Sequence, residues 1–247
     1  MNKDILERID INQFNKFLDI AIKAKDKFGN RGQWIIYFGR AINGINARIF
    51  ALKDHYANLQ LICKQMEFPL DFIELDYHLS DIFYNLDSTI ECFVFGLNAI
   101  GYGIMDSKLF ISIEDEKKLK KIKPDNIFIV GKNSHYQKYF TSIFNYWLED
   151  SQDKFVVTPK KLWESIRDQH DVFKHRSSHT CKMVQTLGNE TDIPLTTKPK
   201  KPLTEVIFDC DGFPWTLNDY LQEFVPFINK SFVLVIQDLE SFLQHSN

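Results

Sequence analysis

"LSDIFYNLDSTIECFVFGLNAI", residues 79–100, decides how this chain folds. Leu79, Phe83, Leu86, Ile90, Phe93, Leu97 and Ile100 recur at alternating steps of four and three. On a helix that turns about 100° per residue, all of them fall on one face. A half-buried strand would instead need strict alternation. The same rhythm runs through Ile42, Ile45, Ile49, Leu52, Tyr56, Leu59 and Cys63. It returns near the C-terminus in Leu217, Leu221, Phe224 and Ile228, then Val235, Leu239 and Phe242. Each stripe must be buried against another, and an antiparallel bundle is the simplest way to do this. A parallel coiled coil fits less well, because loops interrupt the stripes and the stripes differ in character.

Local punctuation marks the ends of these helices. The glycines of "GYG", 101–103, suit the C-terminal end of the second helix. Ser112 and Asp115 have capping-box spacing and predict a short helix that stops before Pro124. Thr158-Pro159 is a cap with proline at the first helical position. Residues 188–202, "GNETDIPLTTKPKKP", read as a loop. A hairpin is expected over 204–215, turning at Asp211-Gly212, with Pro214 confining its second strand to an edge. Thr216 with Asp219 caps the last helix. The expectation is a mainly α single domain over residues 1–247, an antiparallel helical bundle with a small β-hairpin before the C-terminal helix.

The bulk numbers agree. The chain has 247 residues, 44% hydrophobic and 14% aromatic, enough to bury a large core. Thirty Lys and Arg against 33 Asp and Glu leave a net charge of −3, so nonspecific duplex DNA binding is not indicated. Cys63, Cys92, Cys181 and Cys210 form no zinc-type spacing. The first residues carry charges every few positions and no apolar core of a secretory signal. The most apolar stretch, 92–105, is shorter than the roughly 20 residues of a membrane span. A cytoplasmic protein with reduced thiols and no membrane contact is expected.

The chemistry concentrates in "HDVFKHRSSH", 170–179. On a helix from Pro159, Trp163, Ile166, His170 and Phe173 share the inward stripe, with His170 at its margin. Arg167, Asp171 and His175 form a second stripe at steps of four. Asp171 could fix the His175 ring and its tautomer, and Arg167 could pair with Asp171. A neutral imidazole at 175 could take a hydroxyl proton near pH 7, making His175 the first choice for a base. Lys174 or Arg176 would neutralise phosphate charge. His170 and His175 point about 140° apart on a straight helix and cannot share an ion. His175 and His179 could, but neither HExxH nor Glu-x-x-His occurs, so no metal and no cofactor are assigned.

"HDVFKHR" resembles the motif of HEPN-superfamily proteins, in which Arg-Asn, about three variable residues and His follow the long bundle helices. It is most similar to bacterial HEPN-like proteins. Here His170 and Asp171 stand where Arg and Asn would, and His175-Arg176 match the His and its following basic residue. The resemblance implies a dimeric helical bundle that binds RNA or cleaves it as a metal-independent endoribonuclease, with a role in bacterial defence or stress. His175, His170 and Asp171 would then be catalytic, and Lys174, Arg176 and Arg167 would hold phosphate. The His at position 170 departs from the family's Arg, whose planar fork grips phosphate. The alternative is a noncatalytic interaction or scaffolding protein, in which the basic helix end merely complements the helix dipole.

Other polar clusters read more simply. Asp76, His78 and Asp81 fit a solvated first helical turn, although they could meet the 170s in space. "KKLKKIK", 117–123, follows "EDE" and reads as a paired, solvated helix. His55 and His135 look isolated. Gly131-Lys132 lacks the other residues of a P-loop, and Gly101 and Gly103 lack the third glycine of a dinucleotide fingerprint.

Overall fold

The computed structural model describes residues 5–65, 72–105, 107–129, 134–153, 156–175, 207–210 and 213–246. Their order is α1 (Ile11–Phe28), α2 (Trp34–Gln65), α3 (Phe72–Ile104), α4 (Glu116–Leu119), a π-turn (Asp125–Ile129), α5 (Ser134–Tyr139), α6 (Thr141–Trp147), α7 (Pro159–His175), β1 (Ile207–Cys210), β2 (Phe213–Thr216) and α8 (Leu217–His245). The protein is mainly α. Among the described residues, no helix is long and apolar enough to cross a membrane.

α2 and α3 form the backbone of the bundle. Trp34 lies against Gly103, Ala41 against Gly96, and Gly44 against Cys92. Further along, His55 meets His78. One residue number rises as the other falls, so the two helices run antiparallel. The stripe residues named above between 42 and 59 and between 79 and 100 are at most 5% exposed. Fully burying each Leu, Ile or Phe is worth about 1.5–3 kcal/mol.

α8 is the second organising element. Its pairs with α1 run in parallel: Asp10 with Asn229, Phe14 with Phe232, and Phe28 with Phe242. With α6 the direction is opposite. The Trp147 indole donates to Ser231 Oγ at 2.9 Å, while Asp238 accepts from the Ser142 and Ile143 amides at 3.0–3.1 Å. α6 has no cap of its own. A carboxylate from α8 therefore satisfies its first amides. Thr216 and Asp219 make the expected capping box at the start of α8. Just before that helix, β1 and β2 pair antiparallel, with Phe208 opposite Trp215. Residues 188–202 and the turn at 211–212 lie outside the described residues.

One expected helix end holds and one expected helix start is corrected. α3 ends at Ile104, just past the GYG expected to mark its end, and Gly101 and Gly103 lie inside its last turn. They provide space: a Cβ would stand 2.2 Å from the Phe110 ring at 101 and 2.1 Å from Trp34 at 103. Ser112 does not cap α4. Asp115 does, accepting from Lys117 N at 3.0 Å, while Ser112 Oγ accepts from Glu114 N in the preceding turn.

Candidate functional site

α7 starts where its sequence says it should. Thr158 Oγ1 accepts from Lys161 N, and Pro159 opens the first turn. Its inward stripe holds Trp163 and Ile166, both essentially fully buried. Phe173 stacks on Phe83 of α3, with centroids 5.8 Å apart. The Trp163 indole donates to the Trp147 carbonyl at 3.2 Å, and Ser165 and Tyr220 share a hydrogen bond of 2.6 Å. These contacts fix both the rotation and the height of α7 on the bundle.

That rotation brings His170 to Asp87. Nδ1 lies 2.6 Å from Asp87 Oδ2, and the two side chains are 16% and 8% exposed. A carboxylate is an acceptor, so Nδ1 carries the proton and Nε2 has the lone pair when the ring is neutral. Tyr84, one turn before Asp87, meets the imidazole edge-on at 5.4 Å. The Arg48 guanidinium of α2 lies 4.8 Å over the Tyr84 ring.

His170 and Asp87 stand in a cleft of about 740 Å³. One wall is α3, with Tyr84, Asp87, Ser88, Glu91 and Cys92, and Arg48 of α2 stands beside it. The other is α7, with Arg167, Asp168, Asp171 and Lys174, and residues 123–125 also line the cleft. The volume falls within the common range for small-molecule sites, about 300–1,000 Å³.

The cleft's charges interact closely. Burial, reinforced by nearby Asp87, pushes the Glu91 carboxyl above its usual range, although Lys123 opposes the shift from 3.7 Å. Burial also raises the Cys92 thiol, against the pull of Arg48. Arg167 does not pair with Asp171 as its spacing suggested. It is bound to Asp125 and reaches Asp168 at 3.4 Å. Burial works against its charge, but these carboxylates outweigh that and raise its pKa.

Among the sequence-chosen residues, the cleft brings together His170, Asp171, Arg167 and Lys174. His175 is the last residue of α7, and its side chain lies outside the described residues. The expected Asp171–His175 contact lies outside them too, as do Arg176, His179, Gly131-Lys132 and the side chains of His135 and Cys63. Cys181 is likewise outside them. The missed partners are Arg48, Tyr84, Asp87, Glu91, Lys123 and Asp125. A signal for two of them was present: Asp87 and Glu91 are acids four residues apart inside the apolar run 79–100.

Two simpler readings are also corrected. His55 is not isolated, and Asp76, His78 and Asp81 do not form a wholly solvated turn. His78 is 8% exposed and meets His55. In the lysine run, Lys118 pairs with Asp115 at 3.7 Å, but Lys123 reaches across to Glu91 of α3.

The chain matches no family model, no curated protein and no solved structure. The class it defines is therefore structural: a mainly α protein with a polar cleft between two helices.

Proposed function

We propose that this is a HEPN-like protein that binds RNA in the α3–α7 cleft and cleaves it without a metal ion. The supporting observation is the His170–Asp87 pair on the cleft wall. A neutral His170 would take the ribose 2′-hydroxyl proton through Nε2. The 2′-oxygen would then attack the adjacent phosphorus, and the 5′-oxygen would leave and take up a proton. Asp87 would hold the tautomer and stabilise the imidazolium. Lys174, Lys123 and Arg48 would offset phosphate charge. Arg167, engaged by two carboxylates, would brace the wall rather than grip phosphate. The base thus moves from His175 to His170, while His175 and Arg176 at the end of α7 remain proposed contacts for the RNA strand.

The proposal includes a homodimer. Ile36, Phe50 and Leu61 are 45%, 76% and 50% exposed along one face of α2. A second copy could cover them.

One observation favours the second reading, a noncatalytic interaction protein. Asp87, Glu91, Asp125, Asp168 and Asp171 outnumber Arg48, Lys123, Arg167 and Lys174 in the cleft lining. RNA sites are generally electropositive.

Cleavage of labelled single-stranded RNA in EDTA separates the two. The wild type is expected to cut, and His170→Gln to cut at least about 100-fold more slowly. Loss in His175→Gln with full activity in His170→Gln would return the base to 175. No cleavage and no binding at low salt would leave the scaffolding reading.

A further inference from the structure

We propose that His55, His78 and Asp81 form an acid-sensitive latch that pins the end of α2 to the start of α3. The two Nδ1 atoms are 3.0 Å apart, and the ring centroids are 5.3 Å apart. The centroid distance equals the nitrogen separation plus one ring radius at each end. Each nitrogen therefore points straight at the other. Two lone pairs aimed head to head do not converge on a third point, so the arrangement suits a shared proton and not a metal ion. On its far side, His55 Nε2 lies 3.4 Å from Asp81 Oδ2. The chain of contacts runs carboxylate, imidazole, imidazole.

This chain needs one proton between the facing nitrogens. When both rings are fully protonated, two N–H groups collide and the bond is lost. The setting makes that change matter. His78 is 8% exposed, and the His55 side chain is 16% exposed. Facing the pair are Asp54 of α2 and Glu74 and Asp81 of α3, with the Tyr77 ring edge-on to His55 at 5.6 Å. Burial first, and His55 second, hold His78 below its ordinary value near 6.5, against the pull of these acids. A depressed histidine contributes stability that is present above 6.5 and lost as the pH falls through the folded-state value.

Amide hydrogen exchange of the full chain at pH 7.5 and pH 5.0 tests the latch, with each rate divided by its intrinsic rate. Protection across 56–65 and 72–80 is expected to fall at least tenfold at pH 5.0, while α8 is unchanged. In His78→Asn, which cannot titrate, the pH dependence should vanish from these segments. Equal protection at both pH values in the wild type would overturn the latch. So would a tenfold loss that persists in His78→Asn, or a matching loss throughout α8.

Discussion

Asp87 lies in an apolar helix, only 6% exposed, and a carboxylate so placed needs a strong donor. His170 is that donor, and the same bond leaves the ring's other nitrogen available as a base. Glu91, one turn further along α3, pairs with Lys123 at 3.7 Å, but burial outweighs that pull. Its raised pKa fixes the sign of a pH effect. The folded protein holds the Glu91 proton more tightly than the unfolded chain. Stability is therefore lost as the pH rises from about 4.5 through the folded value. Glu91→Gln should then be more stable than the wild type at pH 7, and the gain should disappear at pH 4. Urea unfolding at the two pH values checks this. An equal difference at both would contradict it.

The helices show what was legible in the sequence and what was not. α2, α3 and α8 were readable because large apolar residues mark their seams, with one gap in α8 between Ile228 and Val235. α1 was not, because Ala21 and Ala24 form part of its buried face and do not stand out as a stripe. α6 was hidden because its capping carboxylate, Asp238, lies 96 residues away from Ser142. The cleft was half legible. Local spacing gave its α7 wall, but Arg48, Asp87 and Asp125 join it only through packing between distant segments. Spacing also misassigned Arg167, since an i,i+4 neighbour competes poorly with an acid on another segment. The glycines marked the end of α3, but the close approaches they allow were not legible. Gly103→Ala should force the Trp34 indole from its site and destabilise the protein by about 1–3 kcal/mol, the usual range for overpacking. A thermal melt and the near-ultraviolet tryptophan signal would check it. An unchanged melt would mean that α3 does not approach α2 this closely.

At the scale of the whole molecule, the same antiparallel α2–α3 pair supports two surfaces. One side of α3 forms the cleft wall, and the outward face of α2 carries Phe50 and its apolar neighbours. If a second copy covers that face, sedimentation should give twice the chain mass at micromolar concentration. Phe50→Glu should halve it while leaving the helical circular-dichroism signal of the chain unchanged, since Phe50 is 76% exposed in the single chain. The cleft is the more consequential surface. Asp87→Asn tests, with the least change of shape, whether the buried carboxylate arms His170. The decisive measurement is the rate of RNA cleavage in EDTA by Asp87→Asn beside the wild type. A loss of at least about 100-fold, with RNA affinity retained, is the predicted result. Equal rates in the two proteins, or wild-type cleavage that stops when EDTA is added, would contradict it.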